Sequence, residues 1–82
     1  MRDPTPAACL DLRGTPCPMN YVRARLALEG LSPGDWLQVD LDAGEPEETV
    51  TTSLRGDGHQ VRSASPPAAD GSVVRLLIQR GG

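Results

Sequence analysis

The chain has 82 residues, room for one domain and not for two. Hydrophobic residues make up 38% and charged residues 23%, enough to fold; with no Phe, one Trp and one Tyr, the core falls to Leu, Val, Ala and Ile. A net charge of -3 argues against a basic nucleic-acid surface, and no apolar run approaches the ~18 residues of a membrane span.

All eight basic residues are Arg, so lysine chemistry is not available. Two cysteines, Cys9 and Cys17, are too few for a secreted disulfide scaffold. With the single His59 they cannot fill a four-ligand zinc site without carboxylates. No metal and no cofactor are expected. The N-terminal stretch lacks a signal-peptide apolar run, which predicts a cytoplasmic protein, and a monomer is expected.

Residues 1–7, with Pro4 and Pro6, read as a loose leader, and 8–82 as a single domain. Residues 8–12 alternate apolar and polar and predict a strand with Leu10 and Leu12 on one face. A turn at 13–16 follows. Pro18 suits the first position of a helix, where its missing N–H is not needed. Tyr21, Ala24, Leu28 and Leu31 then form one buried helical stripe, widened by Val22 and Leu26. Gly30 and Pro33-Gly34 stop the helix. Residues 36–41 alternate again, with Leu37, Val39 and Leu41 on one face and Trp36, Gln38 and Asp40 on the other. Pro46 opens a second helix, with Glu47 and Glu48 complementing its dipole and Val50 and Leu54 facing inward. Gly56-Asp57-Gly58 ends it. Residues 59–64 predict a weak strand, 65–71 a loop, and 72–80 a strong strand with Val74, Leu76 and Ile78 inward.

The order β-α-β-α-β-β predicts an α/β two-layer sandwich: a four-stranded mixed sheet with two helices on one face. Leu37, Val39, Val74, Leu76, Ile78, Tyr21, Ala24 and Leu28 are the expected core. Trp36, on the opposite strand face, is expected to be at least partly exposed.

Cys17 lies between Pro16 and Pro18, at the N-cap or beside it. The free amides of Met19 and Asn20 and the positive helix end should lie near its sulfur, a setting that favours thiolate. Chain position leaves two readings open: a reactive thiol, or a small buried residue in a tight turn.

Leu10-Asp11-Leu12-Arg13-Gly14-Thr15-Pro16-Cys17-Pro18 resembles the opening L-D-x-R-G-x-x-C-P of the TusA (SirA-like) sulfur-carrier family. Ser32-Pro33-Gly34-Asp35 is similar to that family's P-G-[DE] turn. Asp42-Ala43-Gly44-Glu45-Pro46 matches its acidic loop, and Gly58-His59 and the terminal Arg80-Gly81-Gly82 also correspond. Many members read C-P-x-P; here Cys17-Pro18-Met19-Asn20 makes a C-P-x-N variant, which bears on partner choice and loop rigidity. Asn20 has two readings, a side chain reaching back toward the cap or an ordinary helical Asn.

The resemblance implies sulfur relay. A cysteine desulfurase or rhodanese-type donor passes sulfane sulfur to Cys17, and the persulfide is handed to an acceptor protein. The family's routes feed tRNA thiolation, molybdenum cofactor formation or sulfur oxidation, so the chain would act as a sulfurtransferase or carrier. Arg13, Pro16, Pro18, Met19 and Asn20 are the supporting residues. Arg13 either pairs with Asp11 or a helix end, or sets a cation near Cys17. Asp40, Asp42, Glu45, Glu47 and Glu48 form a solvated rim or a docking patch for an Arg-rich partner. Cys9 is expected to pack in the core or at an edge, with a resolving thiol as the other reading, and His59 to lie on the surface. Two rivals remain: a regulatory or interaction module of the same fold, and a ubiquitin-like carrier activated at Gly81-Gly82. The second needs a chain that begins with a β-hairpin, which this sequence does not predict.

Overall fold

The computed structural model describes residues 5–64 and 71–81. The elements come in the expected order: β1 (Ala8–Asp11), α1 (Met19–Glu29), β2 (Trp36–Asp42), α2 (Glu45–Gly56), β3 (Gln60–Ala64) and β4 (Val73–Gln79). The sheet order is β1-β2-β4-β3. β1 runs parallel to β2; β4 is antiparallel to both β2 and β3. Most of the loop expected at 65–71 and the first part of the leader lie outside the described residues. Ala7, at the end of that leader, donates its N–H to the Trp36 carbonyl at 2.8 Å and so extends the β1–β2 pairing.

The core follows from the period of each element. Leu37, Val39 and Leu41 alternate along β2 and are fully buried. Leu76 and Ile78 of β4 join them, and Val50 and Leu54 of α2 close over the same face. The α1 stripe is Asn20, Ala24 and Leu28, at spacings of four. Tyr21 and Val74, expected in the core, are half-buried and pack against it. The Tyr21 hydroxyl reaches out to donate to the Asp57 carboxylate beyond α2, and this bond raises the pKa of the phenol. Leu26 departs from expectation: it is 60% exposed. Two residues beyond Ala24 is about 200° around a helix, so Leu26 belongs to the outer face. None of the described helices is long and apolar enough to cross a membrane.

The other sheet face carries its own contacts. Register places Cys9, Gln38, Leu77 and Arg62 in one row, and Asp11, Asp40, Arg75 and Ala64 in the next. Arg75 grips Asp40 through two hydrogen bonds of 2.8 and 3.1 Å. The Arg62 guanidinium lies 5.9 Å from the centre of the Trp36 ring. Trp36 is partly exposed, as its place in the alternation requires. Leu77 shares this face yet is only 2% exposed, because β4 is an inner strand with long side chains on both neighbours. Cys9 is also on this face and is exposed. Of the two places expected for Cys9, core or edge, it takes the edge: β1 is an outer strand, Ala8 and Leu10 pack against the core, and the two-residue period turns Cys9 the other way.

The end of the sheet remote from Cys17 is closed by the C-terminal residues. The Gly34 N–H donates to the Arg80 carbonyl and the Arg80 N–H to the Asp35 carbonyl, each at 2.9 Å. The Arg80 side chain reaches the Leu31 carbonyl, and the Gly81 N–H donates to His59 Nδ1 at 3.0 Å. A Cβ at position 81 would collide with the Gly58 carbonyl, so glycine is required by close approach.

Leu37→Ala should lower the free energy of unfolding by about 2–5 kcal/mol. Leu26→Ala should stay within about 0.5 kcal/mol of the parent. Urea denaturation measures both. A larger loss for Leu26 than for Leu37 would contradict the placement of α1 on the sheet.

Candidate functional site

β1 ends at Asp11, and Leu12 continues its pairing by donating its N–H to the Asp40 carbonyl at 2.9 Å. The Leu12 side chain is buried and anchors the start of the turn. Thr15 N–H returns to the Leu12 carbonyl at 3.1 Å. Gly14 adopts φ +73°, a conformation natural to glycine, and donates its N–H to Asp42 Oδ2 at 2.8 Å. That bond joins the β1–α1 turn to the β2–α2 turn across 28 positions of sequence.

Arg13 folds back on Asp11. Its Nε and Nη2 donate to the two carboxylate oxygens at 2.9 and 2.8 Å, and its backbone N–H adds a bond of 3.1 Å. These bonds hold the Asp11 carboxyl at about 2, with smaller help from the charges of Arg13 and Arg23. Of the two readings for Arg13, the ion pair with Asp11 is the one formed.

Cys17 sits one residue outside the helix. Pro18, expected as the first helical residue, is instead the N-cap. Its carbonyl accepts the Val22 N–H at 3.0 Å, while the Pro16 carbonyl accepts the Asn20 N–H at 3.1 Å. The Cys17–Pro18 peptide is cis. Of the two amides expected to be free, the Asn20 one is therefore engaged, and the Met19 one has no hydrogen-bond partner among the described residues. Pro16, Cys17, Pro18 and Met19 are all exposed.

Asn20 is fully buried and begins the inner stripe of α1. Its Oδ1 accepts the Tyr21 N–H at 2.7 Å, so the side chain satisfies an amide of the first turn. Its Nδ2 is buried without a partner among the described residues.

The five acids expected as one rim divide into two sets. Asp40 is held by Arg75 on the open sheet face, and Asp42 by Gly14. Glu45, Glu47 and Glu48 stand together in the first turn of α2, where carboxylates offset the positive helix end. Pro46 is the second residue of that helix, one place later than expected, after Gly44 as N-cap. His59 is at the remote end, tied to Gly81, and is not brought to Cys17. The Asp42–Gly14 link and the burial of Asn20 were not read from the sequence. Only the glycine at 14 signals the first, and nothing local to residue 20 signals the second.

Cys17 lies outside the two prominent cavities. One, of about 520 Å³, runs between α2 and β3 past Thr51, Arg55, Val61 and Ser63. The other, of about 290 Å³, is at the remote end beside His59 and Arg80. The thiol is thus presented on an open surface, suited to a reaction between proteins rather than to enclosing a small substrate.

Comparison with known proteins places this geometry in a family. The family described as Sulfurtransferase TusA matches residues 8–80. "Putative sulfur carrier protein YedF" of Escherichia coli is 30% identical over 80 residues, 98% of this chain and 100% of that protein. A protein of Archaeoglobus fulgidus with the same description, without the gene name, is 35% identical over 54 residues, 66% of this chain. The match spans 61% of that relative's length, and 66% of a similar Thermotoga maritima protein. The crystal structure of a SirA-like protein from Desulfitobacterium hafniense superposes with a TM-score of 0.75 at 25% identity, covering 92% of this chain and 99% of that one. With the motif around Cys17, the sheet order and a family match over nearly its whole length, the chain belongs to the TusA sulfurtransferase family.

Proposed function

We propose that this protein is a sulfur carrier that holds sulfane sulfur as a persulfide on Cys17 and relays it between two proteins. The observation that carries the reading is the placement of Cys17: exposed, between two prolines, at the start of α1 and outside the two cavities described above. The sulfur-carrier descriptions of the relatives support it. The donor is a cysteine desulfurase or a rhodanese-type protein carrying its own persulfide, and the acceptor is a downstream relay or thiolation protein.

The chemistry is thiol exchange. The Cys17 thiolate attacks the outer sulfur of the donor persulfide. A new bond forms to Cys17 Sγ as the donor S–S bond breaks, and its electron pair leaves on the donor cysteine. The sulfane sulfur changes owner with no net oxidation. Delivery repeats the step, with the acceptor's nucleophile attacking the outer sulfur and Cys17 leaving as thiolate. Cys17 stands at the N-terminal end of α1, the end of a helix that carries partial positive charge. A thiol on an open surface lets donor and acceptor use it in turn.

The Gly81-Gly82 reading has no support in this fold. The chain begins β-α-β rather than with a hairpin, and Gly81 is fastened to His59.

Incubated with a cysteine desulfurase, cysteine and pyridoxal phosphate, the protein should gain about 32 Da, one sulfur atom, that dithiothreitol removes. Cys17→Ser should abolish the gain and Cys9→Ser should not. Retention of the added mass in Cys17→Ser would contradict the assignment.

The turn that presents Cys17 is tied to ionised Asp11. Its carboxyl sits at about 2 in the folded chain against 3.8 for an unperturbed one. A lowered carboxyl stabilises the fold above the unfolded value and loses that contribution as pH falls through the folded one. An NMR titration should place Asp11 near 2, and Arg13→Ala should return it toward 3.8. An unchanged value in the variant would remove Arg13 as the cause.

A further inference from the structure

The register of the sheet fixes which peptide groups of β3 are spare. Trp36 and Asp40 of β2 turn their carbonyls toward β1, to the amides of Ala7 and Leu12. The alternate residues Leu37, Val39 and Leu41 therefore bond to β4, opposite Ile78, Leu76 and Val74. Leu77 and Gln79, between those positions of β4, face Arg62 and Gln60 of β3. Val61 and Ser63 are left with their N–H and C=O pointing out of the sheet, because β3 is an outer strand. Arg55 marks that direction: its Nη2 donates to the Val61 carbonyl at 3.2 Å. The other three groups have no partner among the described residues.

The charges beside this edge complement a reversed copy of themselves. Glu48, Thr52 and Arg55, four and three positions apart, are exposed along one side of α2. They line the cavity of about 520 Å³ beside Val61 and Ser63. Arg55 stands at the Val61 end. Glu48 is seven residues nearer the start of α2, about 10 Å away. Neither makes an ion pair among the described residues. A two-fold axis through Arg62, normal to the sheet, sets Val61 opposite Ser63 of a second copy, where the two residues exchange both backbone bonds. The same axis brings Arg55 to Glu48 of the second copy, and Glu48 to its Arg55. One like-charged pair, Arg62 against Arg62, falls on the axis. Its guanidinium is drawn away from the edge, across β4, to 5.9 Å from the centre of the Trp36 ring. A foreign strand would meet the backbone groups alone; the acid at one end and the arginine at the other fit this chain's own edge turned round.

We infer that β3 is the interface of a weak symmetric dimer, with a second copy of this chain as the occupant of the edge. Pairing there joins two four-stranded sheets into one, with the helices of both on the same face. β1, which leads to Cys17, lies two strands away from β3, so both thiols stay open. Two five-residue strands bury little surface, and the monomer expected from the sequence is the dilute form. The inference goes beyond the carrier reading and uses none of its sulfur chemistry.

Sedimentation equilibrium of the parent from about 5 to about 500 µM should pass from monomer to dimer. Amide exchange at Val61 and Ser63 should slow over the same range, and exchange in β1 should not. Ser63→Pro removes an outward N–H and none of the bonds to β4, so it should stay folded and remain a monomer throughout. Glu48→Arg and Arg55→Glu should each weaken the dimer by about fivefold or more, since each sets like charges face to face. An equimolar mixture of those two single variants should form a heterodimer within about twofold of the parent's affinity, because every such contact then joins opposite charges. A parent that is still a monomer at about 500 µM would overturn the interface. So would a dimer that Ser63→Pro leaves intact, or two single variants whose mixture associates no better than either alone.

Discussion

The parallel pairing of β1 with β2, Leu10 beside Val39, is the constraint on which the rest of the molecule depends. Parallel neighbours need a crossover, and α1 supplies it on the face where Leu37, Val39 and Leu41 are apolar. The same pairing brings the turns after β1 and β2 to one end of the sheet. Asp42 then reaches Gly14, so the turn that leads to Cys17 is fixed from outside as well as by its own Asp11–Arg13 pair. The far end is closed separately by Arg80 and Gly81. One end of the sheet thus carries the turn that leads to the thiol, and the other is closed by Arg80 and Gly81.

A carrier has different needs from an enzyme that encloses a substrate. It must keep its thiol accessible to two proteins and still hold the surrounding backbone in one geometry. Here rigidity comes from prolines on both sides of Cys17, from the Pro16 and Pro18 carbonyls that accept the Asn20 and Val22 amides, and from buried Asn20 below. Accessibility comes from the position of Cys17 outside the helix and outside the cavities. Asn20 places a polar side chain where Ala24 and Leu28 continue an apolar stripe. Its Oδ1 offsets part of the burial by taking the Tyr21 amide, while its Nδ2, with no partner among the described residues, is buried at a free-energy cost.

Much of this was legible in the residues. Alternation in β2 and β4 and the glycine and proline punctuation placed every element to within a few residues, because a one-sided sheet marks its inner face at every second position. The thiol at the mouth of α1 was legible for the same reason: Pro16, Pro18 and the apolar stripe after them define where the helix can begin. The misreadings arose where a local pattern has two solutions. Leu26 looked like part of the stripe because its hydrophobicity was weighed above its angle. For Cys9 the residues leave core and edge both open, and the edge wins because its neighbours Ala8 and Leu10 already claim the core face. Arg75–Asp40 and Gly14–Asp42 were not legible, since pairs 35 and 28 positions apart depend on a register that only the folded sheet supplies.

The central claim is that Cys17 is the atom site at which sulfur travels. Its most direct test is mass spectrometry of the protein isolated, without reductant, from the cells that make it, followed by peptide mapping. The account predicts extra sulfur on the peptide containing Cys17 and an unmodified Cys9. Sulfur found at the C-terminal carboxyl, or on Cys9 with Cys17 bare, would contradict it.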